Sequence, residues 1–251
     1  LTAQWTINCG NNASIVNGNC VCNKGYFKQN QDDVDCELEE YSVNYVLNGG
    51  TNNAFNPHKY NVTSQTIVLR APARANSIFR GWFTEDSFEN QVTQIKTGST
   101  NDITLYARWA CENGYYAIIH SGTPACVGNE YFVVLNANKP SNASSTISGT
   151  MERQNMIYGE QSVLPVNKFV LPGYSFVGWT FDAKETDSVD IKDGNSVINL
   201  TQNKDAEVIL YAQWKPNTYQ VSYSCGTGTG ITPNGTSVEF DSKIVLPENT
   251  C

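Results

Sequence analysis

Leu210-Tyr211-Ala212-Gln213-Trp214 has two counterparts in the chain, Leu105-Tyr106-Ala107-Arg108-Trp109 and Leu1-Thr2-Ala3-Gln4-Trp5. The copies begin at residues 1, 105 and 210, so the word recurs at steps of 104 and 105 residues. A fixed spacing of a five-residue word means tandem duplication, and repeats set the fold reading before any other signal. Each copy reads as the last strand of a unit. Residues 1–5 therefore close an upstream unit, residues 41–109 and 131–214 are complete units, and residues 219–251 open a further one.

The first complete unit opens Tyr41-Ser42-Val43-Asn44-Tyr45-Val46-Leu47, an alternation with the period of a strand that buries one face. Asn48-Gly49-Gly50 ends it with residues that tolerate positive φ. Ile67-Val68-Leu69-Arg70-Ala71-Pro72 predicts a second strand, stopped by its proline, Phe79-Arg80-Gly81-Trp82-Phe83 a third, and residues 103–109 a fourth. Residues 84–102 are mostly polar and read as a loop with at most one short regular element. The second unit answers with Tyr131, Val133 and Leu135, then Ser162-Val163-Leu164-Pro165, then Gly173-Tyr174-Ser175-Phe176-Val177-Gly178-Trp179. It is 15 residues longer, 84 against 69, with excesses of 3 before the shared proline, 4 from there to Gly-Trp and 8 after it. Insertions between strands belong in loops. Residues 215–218 read as a short linker; Tyr219-Gln220-Val221-Ser222-Tyr223 and Ile244-Val245-Leu246-Pro247 read as the first two strands of the next unit.

The five tryptophans fall into two classes. Trp82 and Trp179 follow paired glycines, while Trp5, Trp109 and Trp214 close units. All five read as core, because a unit this small needs its large aromatic side chains buried.

Eight cysteines, Cys9, Cys20, Cys22, Cys36, Cys111, Cys126, Cys225 and Cys251, lie between and at the edges of the units. An even count in Gly/Asn-rich sequence reads as disulfides and an oxidising, extracellular-type compartment. Zinc would need paired C-x2-C knuckles, and His58 and His120 stand far from the one close pair, Cys20 and Cys22. Cys111 and Cys126 share the connector at residues 110–130 and pair most simply with each other. Cys225 and Cys251 follow successive strands whose ends meet if those strands are neighbours. In the connector at residues 6–40, four cysteines allow three connectivities, and a Cys20–Cys22 ring is too small, which leaves two.

The net charge of −8, from 16 basic and 24 acidic side chains, excludes the basic footprint that nucleic acid needs. No run of about 20 apolar residues is present to span a membrane. Cys225-Gly226-Thr227-Gly228-Thr229-Gly230 lacks the helix and Lys-Ser/Thr of a phosphate loop and reads as a turn. Asp187, Asp190, Asp193 and Asn195 do not have EF-hand spacing and read as a solvated acidic loop. Two distant histidines and no Gly-x-Ser-x-Gly elbow give a hydrolase triad no support. Asn12, Asn61, Asn142, Asn199 and Asn234 head Asn-x-Ser/Thr triplets. The chain is read as a non-enzyme without cofactor or metal.

Two resemblances follow from these words. Cys20-Val21-Cys22-Asn23-Lys24-Gly25-Tyr26 followed by Cys36 resembles the C-terminal half of an EGF-like module; the resemblance implies Cys22–Cys36 and leaves Cys9 for Cys20. The ordered set Tyr-x-Val-x-Tyr, Asn-Gly-Gly, Val-Leu, Gly-Tyr-x-Phe-x-Gly-Trp and Leu-Tyr-Ala-x-Trp resembles the Listeria–Bacteroides repeat, the B-repeat of internalin-type bacterial surface proteins. That family implies small β-grasp-like sheets in secreted multidomain surface proteins. Ser77 in the place of Tyr174, the enlarged second unit and the cysteine-rich connectors depart from its pattern.

The expectation is a mainly β chain of tandem β-grasp-like repeats joined by disulfide-stapled connectors, extracellular or at a cell surface, whose partners are neighbouring repeats. Its first expected role is a stalk or fibre. The others are an adhesin holding a surface glycan, a host protein or another surface protein through the enlarged loops of residues 131–214 or the apolar cluster Tyr115, Tyr116, Ile118 and Ile119 of the 110–130 connector, and a subunit of a self-assembling filament.

Overall fold

The computed structural model describes residues 7–120, 122–184 and 188–251. Trp5, with the strand expected at residues 1–5, and Asp187 lie outside the described residues. Every regular element among the described residues is a strand. The chain is mainly β with tandem repeats, and it divides into two compact units, Leu1–Val127 and Gly128–Cys251.

In the first unit, β1 (Ala13–Val16) and β2 (Asn19–Cys22) pair antiparallel through Asn17-Gly18, whose φ values of 50° and 77° suit the tight hairpin turn that matches strand twist. β3 (Tyr26–Phe27) pairs with β4 (Glu37–Leu38). Of the described apolar side chains in this segment only Cys36 is buried, so disulfides replace a core. The segment is fastened to the repeat that follows. The Glu39 N–H donates to the Gly25 carbonyl at 2.9 Å, and the Tyr41 hydroxyl donates to the Glu39 carboxylate at 2.7 Å, which pushes the phenol up to about 12.

The first repeat contains β5 (Tyr41–Val46), β6 (Lys59–Tyr60), β7 (Ile67–Val68), β8 (Ser77–Phe83), β9 (Gln91–Val92), β10 (Gln94–Ile95) and β11 (Ile103–Cys111). Its sheet runs β6-β5-β11-β8-β9. β5 and β11 are parallel at the centre, and β8 lies antiparallel to β11. A parallel pair needs a long crossover. Here the crossover carries the separate β7–β10 ladder, whose Ile67 and Ile95 close over Tyr41, Val43, Tyr60, Trp82, Leu105 and Ala107. First and last strands parallel at the centre make the arrangement β-grasp-like, with a ladder rather than a helix on the buried face.

Two expectations change here. The strand predicted over residues 67–72 stops at Val68, because the buried Asn56 side chain takes both backbone groups of Arg70, accepting from its N–H at 2.8 Å and donating to its carbonyl at 2.9 Å. Residues 84–102 hold two short strands rather than at most one, since Val92 pairs with Trp82 at the edge and Ile95 enters the core.

Gly81 marks a bulge. Arg108 stands opposite Gly81 and Trp109 opposite Phe79, so Arg80 is the extra residue. Gly81 has φ 131°, a conformation that glycine tolerates. After β11, β12 (Tyr115–His120) and β13 (Thr123–Gly128) form a two-stranded sheet.

The second unit repeats the plan with β14 (Glu130–Asn136), β15 (Gln154–Ile157), β16 (Ser162–Val163), β17 (Tyr174–Thr180), β18 (Ser196–Val197) and β19 (Glu207–Pro216). The order is β15-β14-β19-β17, with β14 and β19 parallel. The same bulge precedes Gly178, at φ 148°, and β16–β18 is the covering ladder. Tyr131, Val133, Met156, Leu164, Trp179, Leu210 and Ala212 form the core.

Registered bridges correct the sequence alignment. Thr51 bridges Ala73 and Ser148 bridges Val170, so Ala73 and Val170 are equivalent, and Pro72 and Pro165 are not. Proline marks where a ladder is interrupted, and the ladder bonds rather than the proline set the equivalence. Lys215 and Pro216 correct the linker at residues 215–218: they continue β19 opposite Ser175 and Tyr174. β20 (Thr218–Val221) then pairs with β21 (Thr236–Glu239). The strand predicted at Ile244-Val245-Leu246-Pro247 is absent. Its counterpart Ser162–Val163 is a strand by pairing with Ser196–Val197, and residues 219–251 contain no equivalent of that partner.

Candidate functional site

The chemistry-bearing side chains are brought together as covalent and polar fasteners at the connectors. The structure joins Cys9 to Cys20, Cys22 to Cys36, Cys111 to Cys126 and Cys225 to Cys251, with Cα separations of 5.4, 5.6, 5.5 and 5.5 Å. None of the eight is free. Each closes a loop of a segment with little core of its own, which restricts the unfolded chain.

The segment that follows each repeat is also fastened to it at one recurring place. By register Ser77 and Tyr174 are equivalent. In the first unit the Ser77 hydroxyl lies 3.2 Å from Cys126 Sγ, and Arg74 reaches the Pro124 carbonyl at 2.5 Å and the Asn48 carbonyl at 3.1 Å. In the second unit the Phe240 ring stands edge-on to Tyr174 with centroids 5.8 Å apart, and it lies so close over Gly173 that a Cβ there would fall 2.3 Å from it. The Asp241 carboxylate accepts from the Tyr174 hydroxyl at 3.1 Å and from the Ser144 N–H at 2.8 Å, and also from the Ser144 hydroxyl. Those bonds, the Ser144 hydroxyl first, hold its carboxyl below the usual carboxylate range; Lys139 adds a smaller pull. Ala143, Leu171 and Tyr174 form a small apolar core beneath, against which Trp214 and Phe240 pack.

Trp82 and Trp179 are 2% and 0% exposed. Trp109 and Trp214 are half-buried, pack against the cores and donate their indole N–H groups to the carbonyls of Leu47 and Ala137 at 2.9 and 2.8 Å. Asn48 and Asn138, both at positive φ, donate to the carbonyls of Ala107 and Ala212 at 2.9 and 3.0 Å.

The remaining sequence candidates have structural partners. Gly226 and Gly230 have positive φ, and the Gly228 N–H closes a turn on the Cys225 carbonyl at 2.9 Å. Asp190 accepts from the Thr180 hydroxyl at 2.8 Å and the Phe181 N–H at 3.0 Å, and its carboxyl is lowered chiefly by the Phe181 bond. Asp193 accepts from the Asn167 N–H at 2.8 Å, and the Asn195 carbonyl takes the Leu164 N–H at 3.0 Å. These groups brace loops around the β16–β18 ladder. Among the described residues no three His, Cys, Asp or Glu side chains gather as a metal group. His58 stands edge-on to Tyr45, 5.7 Å between centroids. In the 110–130 connector Tyr115, Tyr116 and Ile118 are half-buried, and Ile119 is exposed. No helix among the described residues is long and apolar enough to cross a membrane.

The family model of the Listeria-Bacteroides repeat domain matches residues 41–108, the first repeat, and residues 141–213, the second repeat beyond its opening strand. The chain is also similar to two proteins of Evansella cellulosilytica. One, provisionally named a Gly-rich membrane protein, is 26% identical over 212 residues, which is 84% of this chain and 20% of that protein. The other, provisionally named a membrane protein, is 25% identical over 215 residues, 84% of this chain and 26% of that protein. The chain thus spans a fifth to about a quarter of these relatives. No solved structure matches it significantly.

Proposed function

The chain belongs to the Listeria–Bacteroides repeat domain family, and on that premise we propose that it is a non-enzymatic, surface-associated segment that serves as a stalk outside the cell. The supporting observation is the fastening of connectors to repeats: Asp241 and Phe240 on Tyr174 and Ser144, and Arg74 and Ser77 on the 110–130 connector. A stalk gains length by adding copies that contact chiefly their neighbours. It gains stiffness from segments that are ordered beside each repeat, and the disulfides and docked hairpins supply that order within each unit. Four bridges suit an oxidising compartment outside the cytosol. The membrane names of the longer relatives agree with a place at a cell surface.

Single-molecule extension of the oxidised chain tests the reading. Under load the two repeats are expected to open as separate cooperative events, and the cysteine-closed loops to lengthen only after reduction. Connectors that extend before the repeats in the oxidised chain would make the joints hinges, and the stalk reading would fail.

A further inference from the structure

A cavity of about 560 Å³ on the first repeat is lined by Arg80, Arg108, Phe83, Phe88, Gln91 and the rim carboxylate Glu89, among others. The bulge creates its chemistry. Arg80 is the extra residue beside Gly81, and Gly81 stands opposite Arg108, so two arginines meet across adjacent strands. Like charges opposed across a sheet are destabilising. Among the described residues neither guanidinium has a carboxylate partner; the ion pairs there are Lys59–Glu40 and Arg153–Glu207.

Arg108 is held in place by two rings. Its guanidinium carbon lies 5.8 Å from the Phe83 ring centre and 5.7 Å from that of Phe88, and the rings meet edge-to-face at 5.4 Å. Ring faces beside a guanidinium attract its charge without taking its N–H groups, which leaves the fork for a planar oxyanion. Phe88 reaches this position at φ 57°, rare for a bulky residue and costly to hold. The Glu85 carboxylate maintains the loop by accepting from the N–H groups of Glu89, at 2.9 Å, and Asn90. The repeated sheet does not require any of this. The second repeat has Val177 and Gln213 at the positions of Arg80 and Arg108 and keeps the same bulge.

We propose that this cavity binds the carboxylate of an acidic sugar, a uronic acid unit, through Arg108 and Arg80. The volume suits a small polar ligand rather than a protein surface. Arginine pairs with carboxylate in bidentate fashion. The Gln91 amide and the aromatic wall supply what sugar hydroxyls and a ring C–H face require. The proposal goes beyond the stalk reading and stands without it.

The test is titration of the full chain with trigalacturonate, with a neutral galactose trimer and a glutamate-rich peptide as comparison probes, followed by calorimetry. Arg108→Gln and Arg80→Val introduce residues that the second repeat already carries at these positions, so the sheet tolerates them; if one variant fails to fold, the other reads the same site. The expected result is saturable binding of the acidic trimer that weakens at least about tenfold in each variant, the loss of one charge-assisted bond, with the thermal unfolding midpoint not lowered. Absence of saturable binding, equal affinity for the neutral trimer, equal or tighter binding of the peptide, or affinity unaltered in both variants would overturn it.

Discussion

Trp214 donates its indole N–H to the backbone carbonyl of Ala137 at 2.8 Å. The first repeat makes the same bond from Trp109 to Leu47 at 2.9 Å. Ala137 and Leu47 are equivalent by register, each just beyond the opening strand where the parallel ladder has run out. The closing tryptophan therefore does two things at once. Its ring packs against Phe176, as Trp109 packs against Phe79, and its N–H satisfies a carbonyl that the sheet leaves open.

Trp214→Phe keeps most of the packing and removes the donor. It is expected to destabilise the second repeat by about 1 kcal/mol, the worth of one net hydrogen bond. Trp214→Ala, which also empties the ring's place, is expected to cost about 3 kcal/mol or more. Urea denaturation of both variants measures the difference; a phenylalanine variant as costly as the alanine one would show that the hydrogen bond carries the interaction and the ring does not.

The inner tryptophans differ in a way that predicts unequal responses. Trp82 donates to the Arg70 carbonyl at 3.0 Å, whereas the buried Trp179 Nε1 has no hydrogen-bond partner among the described residues. The backbone beside the two rings differs in length. From Val163 to Val170 the second repeat is two residues longer than the first is from Val68 to Ala73, and Pro165 holds the position of Arg70. Removing a buried unsatisfied donor recovers desolvation, while removing a bonded one loses the bond. Trp82→Phe is therefore expected to cost about 1–2 kcal/mol more than Trp179→Phe, as read by thermal unfolding of each single variant; equal losses would contradict the structural difference.

How far the sequence could be read is settled by which interactions are local. Alternation at Tyr41-Val43-Tyr45 and Tyr131-Val133-Leu135 reports a buried face directly, because side-chain period and pleat are the same thing. Leu-Tyr-Ala-x-Trp survives as a word because core packing and carbonyl capping fall on one short strand. Pro72 and Pro165 misled because equivalence is set by ladder bonds to Thr51 and Ser148, which no linear spacing displays. Asp241 reaches Ser144 across 97 residues, and nothing in its neighbourhood announces that. The meeting of Arg80 and Arg108 depends on a bulge, which breaks the alternation from which strand partners are inferred.

The bulge glycines are not equally replaceable. A Cβ on Gly178 would fall 2.2 Å from Val189 Cγ1 and 2.9 Å from the Ile191 carbonyl oxygen, a backbone atom fixed by its bridge to Trp179. A Cβ on Gly81 would fall 2.3 Å from Gln91 Nε2, the far end of a flexible side chain. Both positions carry the positive-φ strain of about 1–3 kcal/mol, and only Gly178 adds a clash with backbone. Gly178→Ala should lower the unfolding midpoint of its repeat more than Gly81→Ala does in its own. A larger loss at Gly81 would mean that Gln91 is held more rigidly than a side chain on a short edge strand should be.

Asp241 makes the fastening of the second repeat dependent on acidity. Its hydrogen bonds from Ser144 and Tyr174 favour the ionised carboxylate, so its folded pKa lies below that of the unfolded chain. A carboxylate lowered in this way stabilises fully above its unfolded value, about 3.9, and loses that contribution as pH falls through the lower folded value. The joint is therefore expected to be intact from neutral pH down to about 4 and to loosen below that. Amide exchange at Ser144 reads it directly: protection should hold at pH 6 and fall by pH 3, while the Ala212 core amide stays protected. Asp241→Asn should show the acid behaviour at pH 6. Because the bonds from Ser144 outweigh the charge of Lys139 in setting the shift, added salt should move the transition little. Ser144 protection that is indifferent to pH and to the asparagine substitution would mean that Phe240 and the apolar contacts beneath Tyr174 hold the hairpin by themselves.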